Sequence, residues 1–276
     1  RVRCGVPRPV GQPMTRRAII AIGVGSGLTA AGAVAGGADL LGCYSTACYR
    51  IMGLPSSLAF LPYDDANALV SRALPEVLAS AGNVPVVAGV GAHDPRLNVP
   101  RRITELAAAG VSGVTNEPFI GMYDGDLRRQ LEAAGLGYAP ELDLARTATE
   151  AGMLVIGWAW NPEEAARMAA TGASHVGCML GITSGGHLGG GAANSAVSPH
   201  QAGELLADMV AAVRAENPDS LTLIHGGPLH SPSGVQEALN SSGADGYLAG
   251  SSAERNPVVA AVKETVEQFC TLTTNH

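Results

Sequence analysis

The chain has 276 residues, of which 46% are hydrophobic and 15% charged, and its formal net charge is −7 at pH 7. This length and composition allow a large buried core and exclude a compositionally disordered protein. Because Lys and Arg cluster only in the first seventeen residues, the charge pattern argues against a polyanion-binding groove and predicts no nucleic-acid partner.

The N-terminal segment differs from the rest of the chain. Residues 1–13 carry three prolines and three arginines without an apolar segment, so we expect an irregular arm over 1–14 and one domain over 15–276. The apolar stretch 18–40 divides into a strand-like and a helix-like half, which favours buried elements over a membrane span. Five scattered cysteines without a C-x-x-C pair suit a reducing compartment and predict a cytoplasmic protein without structural zinc.

Short apolar runs and helical patterns alternate eight times along the chain. The predicted strands are 18–24, 39–44, 84–90, 111–115, 153–158, 174–180, 221–225 and 245–249. The predicted helices are 26–37, 65–80, 99–109, 141–151, 162–171, 199–215, 232–241 and 256–269. The pattern predicts an α/β fold, a single-domain (β/α)8 TIM barrel, whose parallel strands are buried on both faces. An open, doubly wound sheet is the alternative that the even spacing disfavours.

Four predicted helices end in a small residue and a glycine just before the next strand, at Gly110, Gly152, Gly172 and Gly243. Such a glycine takes the left-handed conformation that ends a helix. Two connections are longer than the others, 45–64 and 181–198. Both follow a strand, on the side where barrels place their active sites, and we predict that they are binding or lid loops.

Two acidic residues, Asp94 and Glu117, follow neighbouring predicted strands. They are candidates for holding Mg²⁺ through oxygen ligands, or for acid–base chemistry. Since Pro95 follows Asp94, the alternative is that Asp94 only caps a turn. Ser45 and Asn116 also follow strands, and we select Ser45 as a catalytic and Asn116 as a substrate-binding candidate.

His225 ends the seventh predicted strand, directly before Gly226 and Gly227. The position suits a general acid or base, or a group that polarises a carbonyl oxygen, with the two glycine amides open to substrate. A histidine satisfied by backbone contacts is the alternative. Arg50, in the first long connection, is a cation placed to meet an anionic substrate, and a solvated loop charge is its alternative.

Two small-residue segments provide open amides and hydroxyl groups at the same end of the barrel. Thr183, Ser184 and Gly186 lie in one, and Ser251 and Ser252 precede the last helix. Amides and hydroxyls of this kind bind carboxylate or phosphate, so we predict that both segments bind the acidic end of a substrate. Glu254, a few residues on, is more typical of a structural ion pair or a helix start.

Seven segments, in this order and spacing, resemble the phosphoenolpyruvate hydrolase-like TIM barrels of the wider phosphoenolpyruvate/pyruvate superfamily. They are YSTACYR (44–50), LPYDDAN (61–67), AGVGAHDP (88–95), NEPFIGMYDG (116–125), GITSGG (181–186), HGGP (225–228) and GSSAER (250–255). The resemblance covers about 18–270. It implies a divalent cation held at the third and fourth strand ends, where Asp94 and Glu117 stand, an enolate of a 2-oxo acid, and a homo-oligomer. The barrel is also similar to the C-terminal half of a plant virus-resistance protein.

Two positions depart from the family pattern. The family commonly has Ser-Gly-x-Tyr-Arg after the second strand, whereas Thr46, Ala47 and Cys48 follow Ser45 here. The sixth strand commonly carries a histidine near its end, where this chain has Met179 and Leu180. Losing a polar group there makes the expected pocket more apolar.

Together these features predict an enzyme that makes or breaks a C–C or C–O bond next to a carbonyl group, a hydrolase or lyase acting on a small oxo-acid-like molecule. Mg²⁺ is the candidate cofactor, and we expect no organic cofactor. Two alternatives stay open: a biosynthetic enzyme such as a cyclase with a larger apolar substrate, and a non-catalytic barrel that binds a ligand or a partner. The apolar-substrate alternative predicts a deep pocket lined by Trp158, Met179 and Leu180.

Overall fold

The computed structural model describes residues 17–184, 188 and 197–274, which form a closed barrel of eight parallel strands in sequence order. The strands are β1 (Ile19–Gly23), β2 (Leu40–Cys43), β3 (Val86–Gly89), β4 (Gly113–Thr115), β5 (Leu154–Ala159), β6 (His175–Met179), β7 (Leu221–His225) and β8 (Gly246–Ala249). The (β/α)8 prediction is confirmed. The predicted arm over 1–14 and the site candidate Gly186 lie outside the described residues.

Ten α-helices surround the strands within the described ranges. They are α1 (Gly27–Ala35), α2 (Ser45–Ile51), α3 (Ala66–Ser80), α4 (Val99–Ala108), α5 (Gly125–Ala133), α6 (Ala139–Glu150), α7 (Pro162–Ala169), α8 (Pro199–Glu216), α9 (Pro232–Ser242) and α10 (Arg255–Phe269). None of these helices is long and apolar enough to cross a membrane.

Alternation along the strands builds two apolar layers. Ala21, Val87 and Leu223 belong to a cluster inside the barrel, while their neighbours Ala88 and Ile224 belong to the larger cluster between strands and helices. Successive strand side chains point to opposite faces, so each strand needs apolar residues at every position. The near-continuous apolar runs of the sequence have this origin.

The first long connection is not a loop, as its length predicts, but carries α2 and a 3-10 turn over Ser56–Phe60. All residues from Ser45 to Arg50 are buried, because α2 lies across the end of the barrel. A helix buried on every side has no polar face, and therefore no periodicity that sequence could reveal. A second addition, the 3-10 turn Ile120–Met122 followed by α5, comes before α6.

The predicted helix ends are confirmed. Gly110, Gly152, Gly172 and Gly243 all have positive φ, between 69° and 87°. Gly243 is the C-cap of α9, and its amide donates a hydrogen bond to the Leu239 carbonyl. These turns fix where each strand starts, and so bring the opposite, C-terminal ends of the strands to a common mouth.

Candidate functional site

A cavity opens at the C-terminal ends of the strands, the end where barrels place their active sites. Its wall is polar on one side and apolar on the other. The lining residues are Tyr44, Thr46, Arg50, Ser56, Phe60, Glu117, Phe119, Met122, Trp158, Met179, Gly181, Ile182, Thr183, His225, Gly250 and Ser251. We call this space the central cavity.

Arg50 reaches the central cavity from α2 with a side chain only 3% exposed, so it is not a solvated loop charge. Its Nε donates to Oε2 of Glu254 at 2.8 Å, and its guanidinium lies over the Tyr44 ring at 5.6 Å. Burial opposes the charge of Arg50, but Glu254 and Tyr44 outweigh it and raise its pKa. Nη2 is buried and finds no hydrogen-bond partner in the described part of the chain. A permanently charged group therefore has donor capacity to spare at the cavity wall.

Glu254 forms a structural ion pair with Arg50, as the sequence predicts for Glu254, and this ion pair holds Arg50 in place. Besides Arg50, its carboxylate accepts from the Gly25 amide at 2.6 Å and the Thr29 hydroxyl at 3.0 Å. Burial raises the pKa of Glu254, and Arg50 opposes this. A Cβ at Gly23 would overlap the Tyr44 hydroxyl and lie 2.8 Å from Arg50 Nη2, so the glycine leaves space for both side chains.

Glu117 lies fully buried beneath the start of α2. It accepts from the Ser45 amide at 3.0 Å, the Ser45 hydroxyl at 3.1 Å, the Thr46 amide at 3.2 Å and the Thr46 hydroxyl. Burial raises the pKa of Glu117, while the bonds from Thr46 and Ser45 lower it. Ser45 is buried against this carboxylate and is absent from the cavity wall, which the neighbouring Thr46 reaches instead.

His225 makes the backbone contact that the sequence left open as an alternative, and it also lines the central cavity. Its Nδ1 lies 2.7 Å from the Leu248 carbonyl oxygen, a contact that assigns the ring proton to Nδ1. Nε2 has no hydrogen-bond partner among the residues described, and the ring meets Trp158 edge-on with centroids 5.5 Å apart. Burial lowers the pKa of His225 to about 4. At neutral pH the ring is therefore uncharged and offers an acceptor nitrogen.

Asp94 is not at the central cavity and lines a neighbouring one instead. Its oxygens accept from Arg96 Nε at 2.8 Å, Arg96 Nη2 at 3.0 Å and the Arg96 amide at 3.0 Å. The bonds from Arg96 lower the pKa of Asp94. This is the turn-capping role, strengthened by an ion pair.

Asn116 is also absent from the wall of the central cavity. Its Oδ1 accepts from the Trp158 amide at 2.7 Å, and its Nδ2 donates to the buried carboxylate of Glu141. With both ends of the amide engaged, Asn116 ties β4 to β5 and has little capacity left for substrate.

The two segments that the sequence predicts to bind an anion each place one residue on the wall, Thr183 and Ser251. Ser184 does not line the cavity; its amide donates to the Gly227 carbonyl at 2.8 Å, and its buried hydroxyl has no partner in the described ranges. The Ser252 hydroxyl lies 3.2 Å from that of Tyr247.

Gly226 and Gly227 shape the turn after β7 and are not part of the cavity wall. Gly226 has φ of 89°, and a Cβ there would overlap the Gly181 carbonyl oxygen. Their role in the structure is therefore to let two strand ends pack closely, and the contact with substrate predicted for them stays a prediction.

The carboxylates present do not fit a shared Mg²⁺ ion in this arrangement. Asp94 and Glu117 line different cavities, Arg96 holds the oxygens of Asp94, and four N–H and O–H donors converge on the oxygens of Glu117. Within the described ranges, no three or more His, Cys, Asp and Glu side chains form a metal-binding group. Binding of Mg²⁺ stays a prediction, which metal titration tests.

The sequence did not single out the apolar wall made by Phe60, Phe119 and Met122. Phe60 comes from the 3-10 turn after α2, and Phe119 stacks beside it with ring centroids 5.0 Å apart. Trp158 and Met179 line the cavity as the apolar-substrate alternative predicts, whereas Leu180 does not. The rarity of phenylalanine could have indicated this wall: the chain has three phenylalanines, and two of them line the central cavity.

Comparison with known proteins supplies a family. The profile of the phosphoenolpyruvate hydrolase-like family matches residues 11–272. The ToMV susceptible protein tm-1(GCR26) of Solanum lycopersicum is 37% identical over 252 residues, 91% of this chain and 33% of that protein. The ToMV resistance protein Tm-1(GCR237) of the same species is 36% identical over the same shares. The chain thus spans about a third of the length of these relatives.

Two solved structures share the fold. Phosphoenolpyruvate phosphomutase from Streptomyces platensis subsp. rosaceus superposes with a TM-score of 0.61 at 21% identity, covering 93% of this chain and 84% of that one. A phosphonopyruvate hydrolase in complex with oxalate and Mg²⁺ gives 0.60 at 14% identity, covering 92% and 82%. At these identities the likeness establishes the barrel alone.

Proposed function

The chain belongs to the phosphoenolpyruvate hydrolase-like family, and from that premise we propose an enzyme that breaks or forms a C–C or C–O bond beside the carbonyl group of an oxo acid. The observation that carries the proposal is the buried guanidinium of Arg50, a residue of the central cavity wall whose Nη2 has no hydrogen-bond partner in the described part of the chain. A buried donor without a partner is costly, and a bound carboxylate oxygen supplies the missing acceptor. The solved phosphonopyruvate hydrolase binds oxalate, a small carboxylate ligand of the same kind.

Arg50 binds the acidic end of the substrate in this proposal. Ser251 and Thr183 line the same wall and provide hydroxyl groups for the remaining carboxylate oxygens. Glu117 acts as a positioning residue, because it binds Ser45 and Thr46 at the start of the helix that carries Arg50. These contacts hold the carboxylate end of the substrate, which positions the scissile bond.

His225 moves the proton. A neutral imidazole with Nδ1 engaged by Leu248 accepts through Nε2 from a substrate hydroxyl or a water molecule. For C–C cleavage, a hydroxyl on the carbon beyond the scissile bond gives its proton to Nε2, and its oxygen forms the C=O bond of the departing carbonyl product. The electron pair of the broken C–C bond passes into the remaining oxo acid as an enolate. The enolate is stabilised by Arg50 and then takes a proton to give the product acid.

The decisive experiment measures binding and turnover together. Titration calorimetry with oxalate and pyruvate is compared among the wild type, Arg50→Met, Arg50→Lys and an exposed control, Arg101→Met. We expect Arg50→Met to weaken oxalate binding about 100-fold, because a charge-assisted hydrogen bond pair is lost, and the control to bind normally. Product analysis of a 2-oxo and 2-hydroxy acid panel then reports cleavage. Unchanged oxalate binding in Arg50→Met would overturn the assignment.

A non-catalytic ligand-binding barrel is the second candidate. The two tomato relatives are named for susceptibility and resistance to a virus rather than for a reaction. Binding of oxalate that depends on Arg50, without turnover of any acid in the panel, would favour this reading.

The same family membership leads us to a homo-oligomer, and α10 supplies the contact. Arg255 and Asn256, at the start of α10, are at least partly buried. Every residue of α10 from Pro257 onward is exposed. Val258, Val262, Val266 and Phe269 recur at helical spacing and are 43–66% exposed, which makes one uncovered apolar stripe.

A groove of about 830 Å³ lies beside the base of α10, between β1 and α1. Ile20, Ile22 and Leu28 line it, and Val258 reaches its edge. In a (β/α)8 barrel the helix after β8 packs beside β1 and the first helix, but here α10 does not cover the groove between β1 and α1. Each chain carries both the apolar stripe and the groove. In a twofold symmetric dimer, α10 of each copy therefore packs into the groove of the other copy, and both apolar surfaces are buried.

A further inference from the structure

A second cavity lies next to the central cavity and shares part of its wall. Phe60 and Phe119 line both spaces. Ring centroids of the pair are 5.0 Å apart, and Trp160 stacks on Phe119 at 5.7 Å. Two aromatic side chains thus contribute to the walls of both spaces.

The body of the second cavity is apolar. Its wall comes from the 3-10 turn after α2, the segment after β4, and α5. The apolar lining residues are Leu61, Pro62, Pro118, Ile120, Tyr123, Leu127, Leu131 and Leu136. Leu61 and Leu127 are each 51% exposed, so apolar surface is left in water at this position. A bound apolar group would cover it.

The rim of the second cavity carries an excess of negative charge. Asp64, Asp65 and Asp94 line it, together with a single arginine, Arg96. Arg96 is shared between Asp94 at 2.8 Å and Asp65 at 3.1 Å, so its charge is already used. A second carboxylate on a ligand would meet repulsion here.

From this arrangement we propose that the substrate is a monocarboxylic oxo acid with a long, uncharged apolar tail. The acid head binds Arg50, the reacting carbons lie by His225, and the tail passes Phe60 and Phe119 into the second cavity. The proposal rests on the proposed function, since it uses the same head site. It separates this chain's substrate from small dicarboxylates, which the acidic rim disfavours.

Met179 agrees with this reading. It stands on the wall of the central cavity and extends the apolar side formed by Trp158 and Phe119. An apolar wall contributes nothing to a small, highly charged acid, but it stabilises a tail through burial.

The test compares three ligands by titration calorimetry: pyruvate, 2-oxooctanoate and 2-oxooctanedioate. Each methylene that becomes buried strengthens binding about fourfold, so we expect 2-oxooctanoate to bind at least 100-fold more tightly than pyruvate. The dioate has the same length with a charged end, and we expect it to bind at least tenfold more weakly than the monoacid. Equal affinity for all three acids would overturn the proposal.

A blocking variant locates the tail. Leu127→Trp fills the second cavity from an exposed helix position, and Leu205→Trp, on α8 and 57% exposed, is its matched control. We expect Leu127→Trp to lose the advantage of 2-oxooctanoate and to keep pyruvate binding, while Leu205→Trp changes neither. A tail advantage that survives Leu127→Trp would overturn the placement.

The two levels of proposal fail differently. Loss of all acid binding in Arg50→Met, with the order of affinities as expected in the wild type, supports both. If pyruvate binds through Arg50 but length brings no gain, the tail proposal is wrong and the proposed function stands. If none of the acids binds to the wild-type protein, the head site itself is wrong.

Discussion

Arg50 and Glu254 join two parts of the chain 204 residues apart through a buried ion pair, with Nε 2.8 Å from Oε2. The pair connects α2, which crosses the mouth of the barrel, to the start of α10. Arg50 is also the anion-binding group of the proposed site. The same contact therefore supports the fold and orients the guanidinium toward the substrate.

Removing one member of this pair should be costly. Glu254→Leu leaves Arg50 buried and unpaired and takes the acceptor from the Gly25 amide, so we expect the free energy of unfolding to fall by about 3 to 5 kcal/mol. The double variant Arg50→Met/Glu254→Leu removes both charges and should recover part of that loss. Urea unfolding measures both values, and a loss below about 1 kcal/mol in Glu254→Leu would contradict the ion-pair account.

His225 should make stability depend on pH. Burial lowers its pKa to about 4 in the folded protein, against about 6.5 unfolded, so between these values the unfolded state binds more protons. Its contribution is complete above pH 6.5 and is lost as the pH falls to 4, by at most about 3 kcal/mol. Buried carboxyl groups such as Glu117, whose pKa is raised, act in the opposite sense, so the comparison requires a variant.

The variant is His225→Asn, whose amide can still donate to the Leu248 carbonyl. The difference in unfolding free energy between wild type and His225→Asn should shift in the variant's favour as the pH drops from 7 to 4. A difference that stays constant over this range would show that the ring is not held neutral. In turnover assays, the wild-type rate should show no loss near pH 6.5.

Metal titration tests the sequence prediction of Mg²⁺ against the observed geometry. Because Asp94 is bound by Arg96 and lies away from the central cavity, we expect Asp94→Ala to change neither Mg²⁺ binding nor oxalate binding. Calorimetry on EDTA-treated protein, with and without Mg²⁺ or Mn²⁺, measures both. Metal-dependent oxalate binding that Asp94→Ala abolishes would restore the two-carboxylate site implied by the family.

Replacing glycine by alanine should have opposite effects on stability at Gly226 and at Gly32. Gly226→Ala forces a Cβ into the Gly181 carbonyl at a positive φ, and we expect a loss of about 2 to 4 kcal/mol. Gly32 lies within α1 with open space around it, so Gly32→Ala should raise stability by about 0.5 to 1 kcal/mol. Thermal unfolding of both variants checks the pair, and similar effects of the same sign would contradict it.

The sequence predicts the barrel well because its signals are local. The run 18–24 predicts Ile19–Gly23, and Gly243 ends α9 as its position before a strand indicates. Asp65 likewise caps α3, accepting from the Ala68 amide at 2.9 Å. Each of these depends on neighbours a few residues away, which a pattern can show.

The site is harder to predict because its contacts are not local. Three of the residues selected because they follow strands, Thr183, His225 and Ser251, line one cavity. The same selection places Asp94 and Asn116 there too, although each is held by a partner that pattern does not reveal, Arg96 in one case and Glu141 in the other. The position of a residue after a strand predicts that it lies at the C-terminal end of the barrel. Whether its side chain faces the cavity depends on its hydrogen-bond and ion-pair partners, which the sequence pattern does not show.

The last prediction concerns α10 and the oligomer. Val262→Glu puts a charge in the middle of the exposed stripe, where the proposed partner groove is apolar, while Lys263→Glu changes the neighbouring exposed residue. Because burying an unpaired carboxylate in an apolar interface is unfavourable, we expect Val262→Glu to shift the protein from dimer to monomer and Lys263→Glu to leave it assembled. Light scattering coupled to size-exclusion chromatography measures the mass. A wild type that runs as a monomer at all concentrations would contradict the exchange of α10, whereas an oligomer unaffected by Val262→Glu would place the interface on another face of the barrel.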